Sequence, residues 1–391
     1  MFEAFNFKVN TDFMNCSYNK LQQAFPSCMG DLPSIKKMST RVAKKSDIQG
    51  TMIHCCVNSC VTYTNYYRDL EAFPVCNQPC YQPSTRNPNK QVPHCVFHYL
   101  PLSPRLQNWY FDPAMAEALS YRDQYQPDGN IWDIFDGAHY QKLRGERVTV
   151  NTKTLDHNYF SEPTDITLGI ATNGFGPFKS RKQSCWPIIA FNYNLPPALR
   201  FKLKYTLCLG VIPGPNSPVE LETFLKPLIA ELEDLTHSIP AFHGGKREPF
   251  CFRAYLLASF GNMPAITKLM CMKGHNRISG CRACKIIGVC PGEGPGGNTS
   301  YAALSHPFAA HREYRNSYNP RDLPLQTHNK FVWQAMDIEE CVWDEARSGI
   351  NGLSSLLRVP GIDFPGLFPL DFMHAMFENV IKTLINLWTH G

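Results

Sequence analysis

The chain lacks the features that direct a protein to or across a membrane. Its first residues, MFEAFNFKVN, contain no basic segment followed by an apolar stretch, which is the pattern of a secretory signal peptide. No run of about 18 apolar residues is present, so we expect no membrane span and no membrane partner. Internal repeats and low-complexity tracts are also absent. These absences lead us to expect a nuclear or cytoplasmic protein.

Charge of either sign is scarce. Charged residues make up 18% of the 391 residues and hydrophobic residues 43%, which excludes wholesale disorder and permits a packed core. The formal net charge of +5 is compatible with a polyanionic partner but does not require one. The Gly-Pro-rich segment PGEGPGG lacks the Lys-Ser/Thr pair of a phosphate-binding loop.

Cysteine is abundant, with 16 residues. Without a secretory signal, metal ligands or buried thiols are favoured over disulfides. Two pairs, each with three intervening residues, lie in residues 52–81: Cys56 with Cys60, and Cys76 with Cys80. Two such pairs can place four thiolates around a zinc ion and stabilise a small module. Cys55 and Cys95 are competing ligands, and buried free thiols are the alternative.

Three short strand patterns separated by turn signals begin at residue 165: DITLGIATNGF, CWPIIAFNYN and KYTLCLGVIPG. Their spacing favours an antiparallel meander. The segment PVELETFLKPLIAELEDL follows with a helical apolar stripe. FCFRAYLLASF then predicts a strand or a buried helix, with a break at Gly261-Asn262 before another helix. This order predicts an α/β fold with an RNase H-like core.

A second cysteine motif, Cys281-Arg-Ala-Cys284, interrupts this core and predicts a zinc-knuckle insertion at about residues 271–330. The residues available to complete it are His275, Cys290, His306 and His311.

The final segment, LDFMHAMFENVIKTLINLWTHG, has the pattern of a helix. One apolar stripe contains Met373, Phe377, Val380, Leu384 and Trp388, and a second face contains Asp371, His374 and Glu378. A buried Glu378 would require a partner or a metal ion. The alternative is that Glu378 is exposed or pairs with Lys382. Because the chain stops directly after this helix, we expect it to be truncated at its C-terminus.

Taken with the remaining regions, the sequence predicts that the chain has four parts. Residues 1–50 are polar and basic, which suggests a solvated arm. Residues 51–106 form the cysteine-rich module and a linker, 107–164 a connecting region, and 165–391 the core. Asp123, Asp133 and Asp136 in the connecting region are candidate catalytic acids, but turns and helix caps are the favoured interpretation.

The block TNGFGPFKSRKQSCWPIIAFNYNLPP resembles the "TDGFxPFK…WPIxLxxYNLPP" block of CACTA-type (En/Spm) transposases, particularly their fungal branch. The similarity continues through VIPGPNSP, FRAYLLASFGNMPAITKLMCMKGHN, GCRACKIIG, DLPLQTH and FPLDFMHAMFENVIKTLINLWTHG. It covers roughly residues 50–391. The resemblance implies an RNase H-like fold in which three acids, a DDE triad, hold two Mg²⁺ ions for DNA cleavage and strand transfer.

Carried over by position, the triad falls on Asn173, Asn262 and Glu378, so two of the three acids are amides here. The resemblance therefore implies a degenerate, DNA-binding transposase derivative that has lost most or all of its chemistry. An active enzyme would need substitute acids, for which Asp165 and Asp371 are the candidates. A non-catalytic zinc-containing interaction module is the third hypothesis.

Two further expectations follow from the resemblance. Lys179, Arg181 and Lys182 lie between the first two strands and are candidates for phosphate contacts, with a solvated turn as the alternative. Where the family has a "CPxC" motif this chain has FPVC, so Phe73 occupies a cysteine position and Cys80 is the candidate replacement ligand. The expected cofactors are structural zinc and, in an active enzyme, magnesium. The expected partners are the transposon ends, with a homo-oligomer also conceivable.

Overall fold

A computed structural model of the chain describes residues 2–11, 13–178, 180, 183–274, 277–289, 301–302, 318–319, 321–339 and 348–390. The helices in this part of the chain are α1 Phe2–Asn10, α2 Asn15–Ala24, α3 Pro26–Met29, α4 Ile35–Ser46, α5 Ser103–Phe111, α6 Pro113–Ala118, α7 Tyr121–Gln124, α8 Ala138–Arg144, α9 Pro197–Arg200, α10 Leu221–Thr236, α11 Met263–Leu269, α12 His328–Glu339, a π-helix Met373–Ile381 and α13 Lys382–His390. The strands are β1 Thr51–Cys55, β2 Tyr81–Pro83, β3 Gln91–Pro93, β4 Cys95–Tyr99, β5 Arg147–Val150, β6 Lys153–Asn158, β7 Ile166–Thr172, β8 Cys185–Asn192, β9 Leu207–Pro213, β10 Ile239–His243, β11 Glu248–Phe252, β12 Ala254–Phe260, β13 Gly288–Val289 and β14 Tyr301–Ala302.

A mixed six-stranded sheet forms the centre of the described part, in the order β1-β4-β9-β8-β7-β12. The predicted meander is present, because β7 pairs antiparallel with β8 and β8 with β9. The strand after the long helix, β12, lies parallel to β7 on its other side. Strands β7 and β12 are buried almost throughout, as their continuous apolar runs require.

Helix α10 covers the sheet with the predicted apolar stripe. All six of its predicted core residues are buried: Leu221, Phe224, Leu225, Leu228, Ile229 and Leu232. They belong to the same hydrophobic cluster as the inward-facing residues of β7, β8 and β9. The 3.6-residue period of this segment therefore predicted both the helix and the face that it buries.

The C-terminal helical segment forms as predicted, but its apolar stripe is not buried. Met373, Phe377, Val380, Leu384 and Trp388 are all exposed in the structure, with Trp388 at 78% of its full exposure. The first part is wound as a π-helix and the second part as α13. The spacing of the apolar residues predicted the helix correctly. It could not predict whether other described residues would pack against the apolar stripe.

Residues with arm-like or linker-like composition also adopt regular structure. The four N-terminal helices α1–α4 pack around Tyr18, Leu32 and Met38. The Pro- and Asn-rich stretch at residues 82–106 contains β4, which pairs with β1 in the register Cys55↔Cys95. Strand β4 also joins β9, where Tyr99 faces Gly210. The cysteine-rich region thus shares a sheet with the predicted core. No described helix has the length and apolarity needed to cross a membrane.

Candidate functional site

The two amide positions, Asn173 and Asn262, lie beside each other at one edge of the sheet. Asn173 directly follows β7, and Asn262 follows β12 after one intervening residue. Because these strands are parallel and pair in the register Phe260↔Ala171, their carboxyl ends meet. The backbone approach is close: a Cβ atom added at Gly261 would lie 2.7 Å from the carbonyl oxygen of Thr172.

Asn262 has a structural role at this edge of the sheet. It is the N-cap of α11, and its Oδ1 accepts a hydrogen bond of 3.0 Å from the backbone N–H of Ala265. Met263-Pro264 follows, so a proline occupies the first turn, where a missing N–H costs nothing. Asparagine and aspartate are comparably good N-caps, so the fold does not distinguish between them here.

The position of Asn173 is fixed by the packing of Gly174, the residue that follows it. A Cβ atom on Gly174 would lie 2.5–2.7 Å from atoms of the Trp186 ring, so only glycine fits against this tryptophan. The Oδ1 atom of Asn173 is buried and has no hydrogen-bond partner among the residues that the structure describes. A buried acceptor without a donor is unusual, and it is the kind of atom that a bound ion or water would satisfy.

A second group of polar residues begins the C-terminal helical segment. The ring nitrogen Nδ1 of His374 bonds to Oδ2 of Asp371, whose Oδ1 accepts the backbone N–H of His374 at 3.1 Å. Partial burial alone would raise the pKa of Asp371, but these two hydrogen bonds hold it below its usual value. Glu378 is exposed, and its carboxylate lies 3.7 Å from Nε2 of His374. In the described part, the close contact of Glu378 is therefore with His374 rather than with Lys382.

A small, mostly apolar cavity of about 170 Å³ is lined by the two neighbours of Asn262 and by Asp371 and His374, although neither amide lines it. Gly261 and Met263, on either side of Asn262, form one wall, and Asp371 and His374 form another. Cys281 of the second cysteine motif also lines it. We name Asn173 and Asn262 the strand side of the site, and Asp371, His374 and Glu378 its helix side. Glu378 is linked to the cavity through His374, which the sequence placed on the same helix face as the two acids but to which it assigned no role.

The acids proposed as substitutes differ in availability. Asp165 is fully buried at the start of β7, where both of its oxygens bond to the guanidinium of Arg253 at 2.9 and 3.2 Å. Burial raises the pKa of Asp165 in spite of this ion pair. It lies at the opposite end of β7 from Asn173, and its carboxylate is already paired with Arg253. Asp371 borders the cavity.

The candidate acids of the connecting region have structural roles. Asp133 caps a 3₁₀ turn and forms a buried ion pair with Arg200, at 2.7 and 3.0 Å. Asp136 completes the capping box of the same turn and accepts a hydrogen bond from Tyr125. Asp123 is exposed on α7. These contacts agree with the interpretation as turns and caps.

The N-terminal cysteine cluster is the best-formed candidate metal centre among the described residues. The sulfurs of Cys56, Cys60 and Cys76 all lie within 4.8 Å of one another. Cys56 and Cys60 are buried, and burial raises the pKa of Cys60 to about 12. Burial would also raise the pKa of Cys76, but the backbone N–H of Gln78 and the neighbouring thiols lower it. Backbone donors aimed at sulfur stabilise thiolates, so this cluster can hold a metal ion such as zinc.

The fourth ligand predicted for this centre is not in place. Cys80 is fully buried in the same hydrophobic cluster, but it does not join the group of three sulfurs. Phe73 is 1% exposed there and packs edge-on against Tyr67. Cys55 and Cys95 form a separate pair, in which the two thiols hydrogen-bond to each other across β1 and β4. This pairing follows from strand register, which the spacing of the cysteines alone did not reveal.

The second cysteine motif is formed in part. The sulfurs of Cys281 and Cys284 lie 3.2 Å apart, and residues 283–285 pair with residues 324–326 through backbone hydrogen bonds. The predicted partners His275 and His306, and the alternatives Cys290 and His311, lie outside the described residues. The same is true of the predicted phosphate-binding residues Lys179, Arg181 and Lys182.

Part of the chain matches a known protein family. Residues 143–320 match the model of the transposase family tnp2. This span includes both amides of the strand side and ends before the helix side, and it supports a transposase family. No curated protein matches the chain.

Proposed function

We propose that the chain is a transposase-derived protein of a CACTA-type DNA transposon that binds DNA and has lost cut-and-paste chemistry. The observation that carries this proposal is the meeting of Asn173 and Asn262 at the carboxyl ends of two parallel strands. Acids at such strand ends are well placed to share a metal ion. Both amides lie within the span that matches the transposase family.

The strand order supports an RNase H-like core as part of this proposal. In the series β9-β8-β7-β12, a three-strand meander is extended by a parallel strand that follows a helix. This is the order expected from the sequence for such a core. The adjacency of the amides depends on this pairing, because an antiparallel β12 would place Asn262 at the opposite edge.

The residues at the site do not suit a pair of magnesium ions. Mg²⁺ prefers hard, negatively charged oxygen ligands. The strand side supplies two neutral amides, and the Oδ1 atom of Asn262 already accepts the N–H of Ala265. Glu378 then remains as the single acid of the three triad positions. Each missing carboxylate is expected to cost about 10- to 100-fold or more, and such effects do not combine simply.

A nicking assay tests the loss of chemistry. Supercoiled plasmid is incubated with the unmodified chain and with the double variant Asn173→Asp/Asn262→Asp, in Mg²⁺ and in Mn²⁺. We expect no nicking by the unmodified chain and measurable nicking by the double variant. Adding Glu378→Gln to the double variant should abolish that nicking. Nicking by the unmodified chain that persists with Glu378→Gln would contradict this assignment and favour substitute acids such as Asp371.

DNA binding is tested separately, by mobility shift at several salt concentrations. Phosphate contacts weaken with added salt because bound counterions are released when the complex forms. Replacing Lys179, Arg181 and Lys182 by glutamine should weaken binding of all sequences alike and reduce the salt slope by about 1 for each phosphate that is no longer neutralised. An unchanged slope would remove this loop from the proposal. DNA as the partner also leads us to propose a nuclear location, which imaging of the tagged protein would test.

A second candidate function, a non-catalytic zinc-containing interaction module, is favoured by the three clustered thiols. It predicts bound zinc and protein binding without salt-dependent DNA affinity. Metal analysis of the purified chain should find zinc that Cys76→Ser removes. The matched control is Cys251→Ser, because Cys251 is exposed and outside the cluster. Zinc below one equivalent would reject the N-terminal centre.

A further inference from the structure

One pair of cysteines lies outside both cysteine motifs that are candidates for metal binding. Cys55 is the last residue of β1 and Cys95 the first residue of β4, and the two face each other in the antiparallel register of these strands. Residues directly opposite in such a ladder point to the same face, with Cβ atoms about 4.5–5.5 Å apart. The two thiols interact across the strands. Backbone pairing therefore holds these two sulfurs next to each other.

The strand register of this pair is compatible with a disulfide. Directly opposite residues of an antiparallel ladder have Cα atoms about 4.5–5.5 Å apart, and disulfides join Cα atoms separated by about 4.4–6.8 Å. The two sulfurs can therefore be joined without a shift of β1 against β4. The other described cysteines of the central sheet are placed differently, because Cys185 faces Pro213 and Cys208 faces Ile189.

The two thiols differ in their access to solvent. Cys55 is fully buried in the hydrophobic core, whereas Cys95 is partly exposed. A hydrogen bond from the Cys55 thiol lowers the pKa of Cys95 to about 7, and the backbone N–H of Val96 acts in the same direction, although partial burial acts to raise it. Because the thiolate is the reactive form of cysteine, Cys95 is the sulfur that a reagent in solution meets first. Cys55 lies behind it as the second sulfur of the pair.

The position of the pair in the chain connects it to the N-terminal cysteine cluster. Cys56 directly follows Cys55, and Cys60 and Cys76 also lie between Cys55 and Cys95 in the sequence. A bond between Cys55 and Cys95 would therefore close a loop that contains all three clustered thiols. Closing a long loop restricts the unfolded chain and so stabilises the folded one. Oxidation of the pair would thus strengthen the attachment of the cysteine-rich region to the central sheet.

We propose that Cys55 and Cys95 form a reversible redox site that is oxidised by a small-molecule disulfide such as glutathione disulfide. The thiolate of Cys95 attacks one sulfur of the small disulfide, so that a mixed disulfide forms and one small thiolate leaves. The thiol of Cys55 then gives up its proton, and its sulfur attacks that of Cys95 and releases the second small thiolate. The two released thiolates take up the protons that the two cysteines lost. The protein pair thereby gives up two electrons, which reduce the small disulfide to two thiols.

This site goes beyond the proposed function, because it needs neither DNA nor the strand side. A disulfide of this kind in a protein without a secretory signal would be transient and redox-sensing rather than permanent.

The test treats the full chain with glutathione disulfide after it has been loaded with zinc, which occupies the clustered thiols. Remaining free thiols are then alkylated, and peptide mass spectrometry identifies the linked cysteines. We expect a bond between Cys55 and Cys95 that excess reduced glutathione breaks. Oxidation should also shift the midpoint of urea unfolding upward, and Cys95→Ser should lose both the bond and the shift. Cys185→Ser is the matched control, because Cys185 is another partly exposed strand cysteine and faces Pro213; it should behave as the unmodified chain does.

A second variant, Cys55→Ala, examines the order of the two steps. It should retain glutathione on Cys95, because the sulfur that would release it is missing. Absence of the Cys55–Cys95 bond from the treated, unmodified chain would overturn the proposal, as would glutathione that stays on Cys95 while Cys55 is present. A bond that excess reduced glutathione leaves intact would be a permanent one and would also overturn it. The unmodified chain and Cys95→Ser decide the question even if the buried substitution Cys55→Ala prevents folding. No DNA is present, so the nicking assay can fail or succeed independently.

Discussion

The strand side and the helix side of the site differ in charge and in burial. At the strand side, two parallel strands bring Asn173 and Asn262 to one edge of the sheet, and neither residue carries a carboxylate. The helix side has charged and titratable groups but lies on an exposed helix. The geometry of the strand side depends on the pairing and packing of buried strands, so it does not depend on acidic side chains. The architecture of such a site can therefore form whether or not the side chains at its edge carry charge.

The largest expected effect concerns the buried ion pair at the other end of the two strands that carry the strand side. Arg253→Met would leave Asp165 buried without its partner at the far end of β7 and β12. We expect the free energy of unfolding to fall by about 3–5 kcal/mol, as for other broken buried pairs. Urea unfolding measures this change. The control is Arg358→Met, which removes a partly exposed pair with Glu233 and should cost about 1 kcal/mol.

The close approach of the two strand ends gives the next prediction. In Gly261→Ala the new methyl group would lie 2.7 Å from the carbonyl oxygen of Thr172, and backbone cannot yield as a side chain does. Overpacking of this kind should destabilise the fold by about 1–3 kcal/mol. Gly176→Ala is the matched control, since its methyl would meet only the Gln183 carbonyl at an ordinary 3.7 Å. Equal stability of the two variants would show that the strand side is looser than described.

The pH dependence of the free energy of unfolding tests the contact between α10 and the segment that precedes the helix side. Burial raises the pKa of Glu222, whose carboxylate accepts the backbone N–H of Ser355. The folded protein therefore keeps this proton at pH values where the unfolded chain has released it. Above about pH 4.3, the ordinary glutamate pKa, the free energy of unfolding should fall with rising pH until the raised pKa is passed.

The contribution of this one proton is at most about 1.4 kcal/mol per pH unit. Urea unfolding between pH 4 and 8 should show that Glu222→Gln removes this part of the slope. Glu117→Gln, on the exposed side of α6, should leave the slope unchanged. If the free energy of unfolding falls more steeply with pH in Glu222→Gln than in the unmodified chain, the raised pKa of Glu222 is contradicted.

The smallest effect concerns Asn262 itself. Removing its cap in Asn262→Ala should cost about 1 kcal/mol, within the range of about 0.5–2 found for such changes. Asn262→Asp should change stability by less than about 0.5 kcal/mol, because aspartate caps a helix equally well. Thermal unfolding of the two variants distinguishes them. A large destabilisation in Asn262→Asp would mean that the strand side does not accept an acid, and would sharpen its contrast with the helix side.

Much of the strand side was predictable, because its signals are local. The apolar runs of β7, β8 and β9 and the stripe of α10 recur at the period of their own secondary structure. The position of Asn173 after a strand followed from the first of these runs, whereas the run before Asn262 predicted either a strand or a buried helix. What the runs could not predict was the close contact of Gly261 with Thr172 or the packing of Trp186 on Gly174, which depend on tertiary structure.

The helix side and the cysteine region were harder to predict for the same reason. The stripe of Met373, Phe377 and Trp388 has the spacing of a buried face and is exposed. Strand β4 lies in a Pro- and Asn-rich stretch whose composition suggests a linker, and its pairing with β1 and β9 decides its conformation. Tertiary contacts override local propensity in such segments.

The pairing of β4 with β9 has a practical consequence for anyone who would shorten this protein. A fragment starting at residue 165 would remove β1 and β4 and leave β9 as an open border of the sheet, with its backbone donors and acceptors turned to solvent. Such borders recruit strands from other molecules and promote aggregation. Biochemical work on the strand ends is therefore best done with residues 51–99 retained, even when metal binding is not the subject.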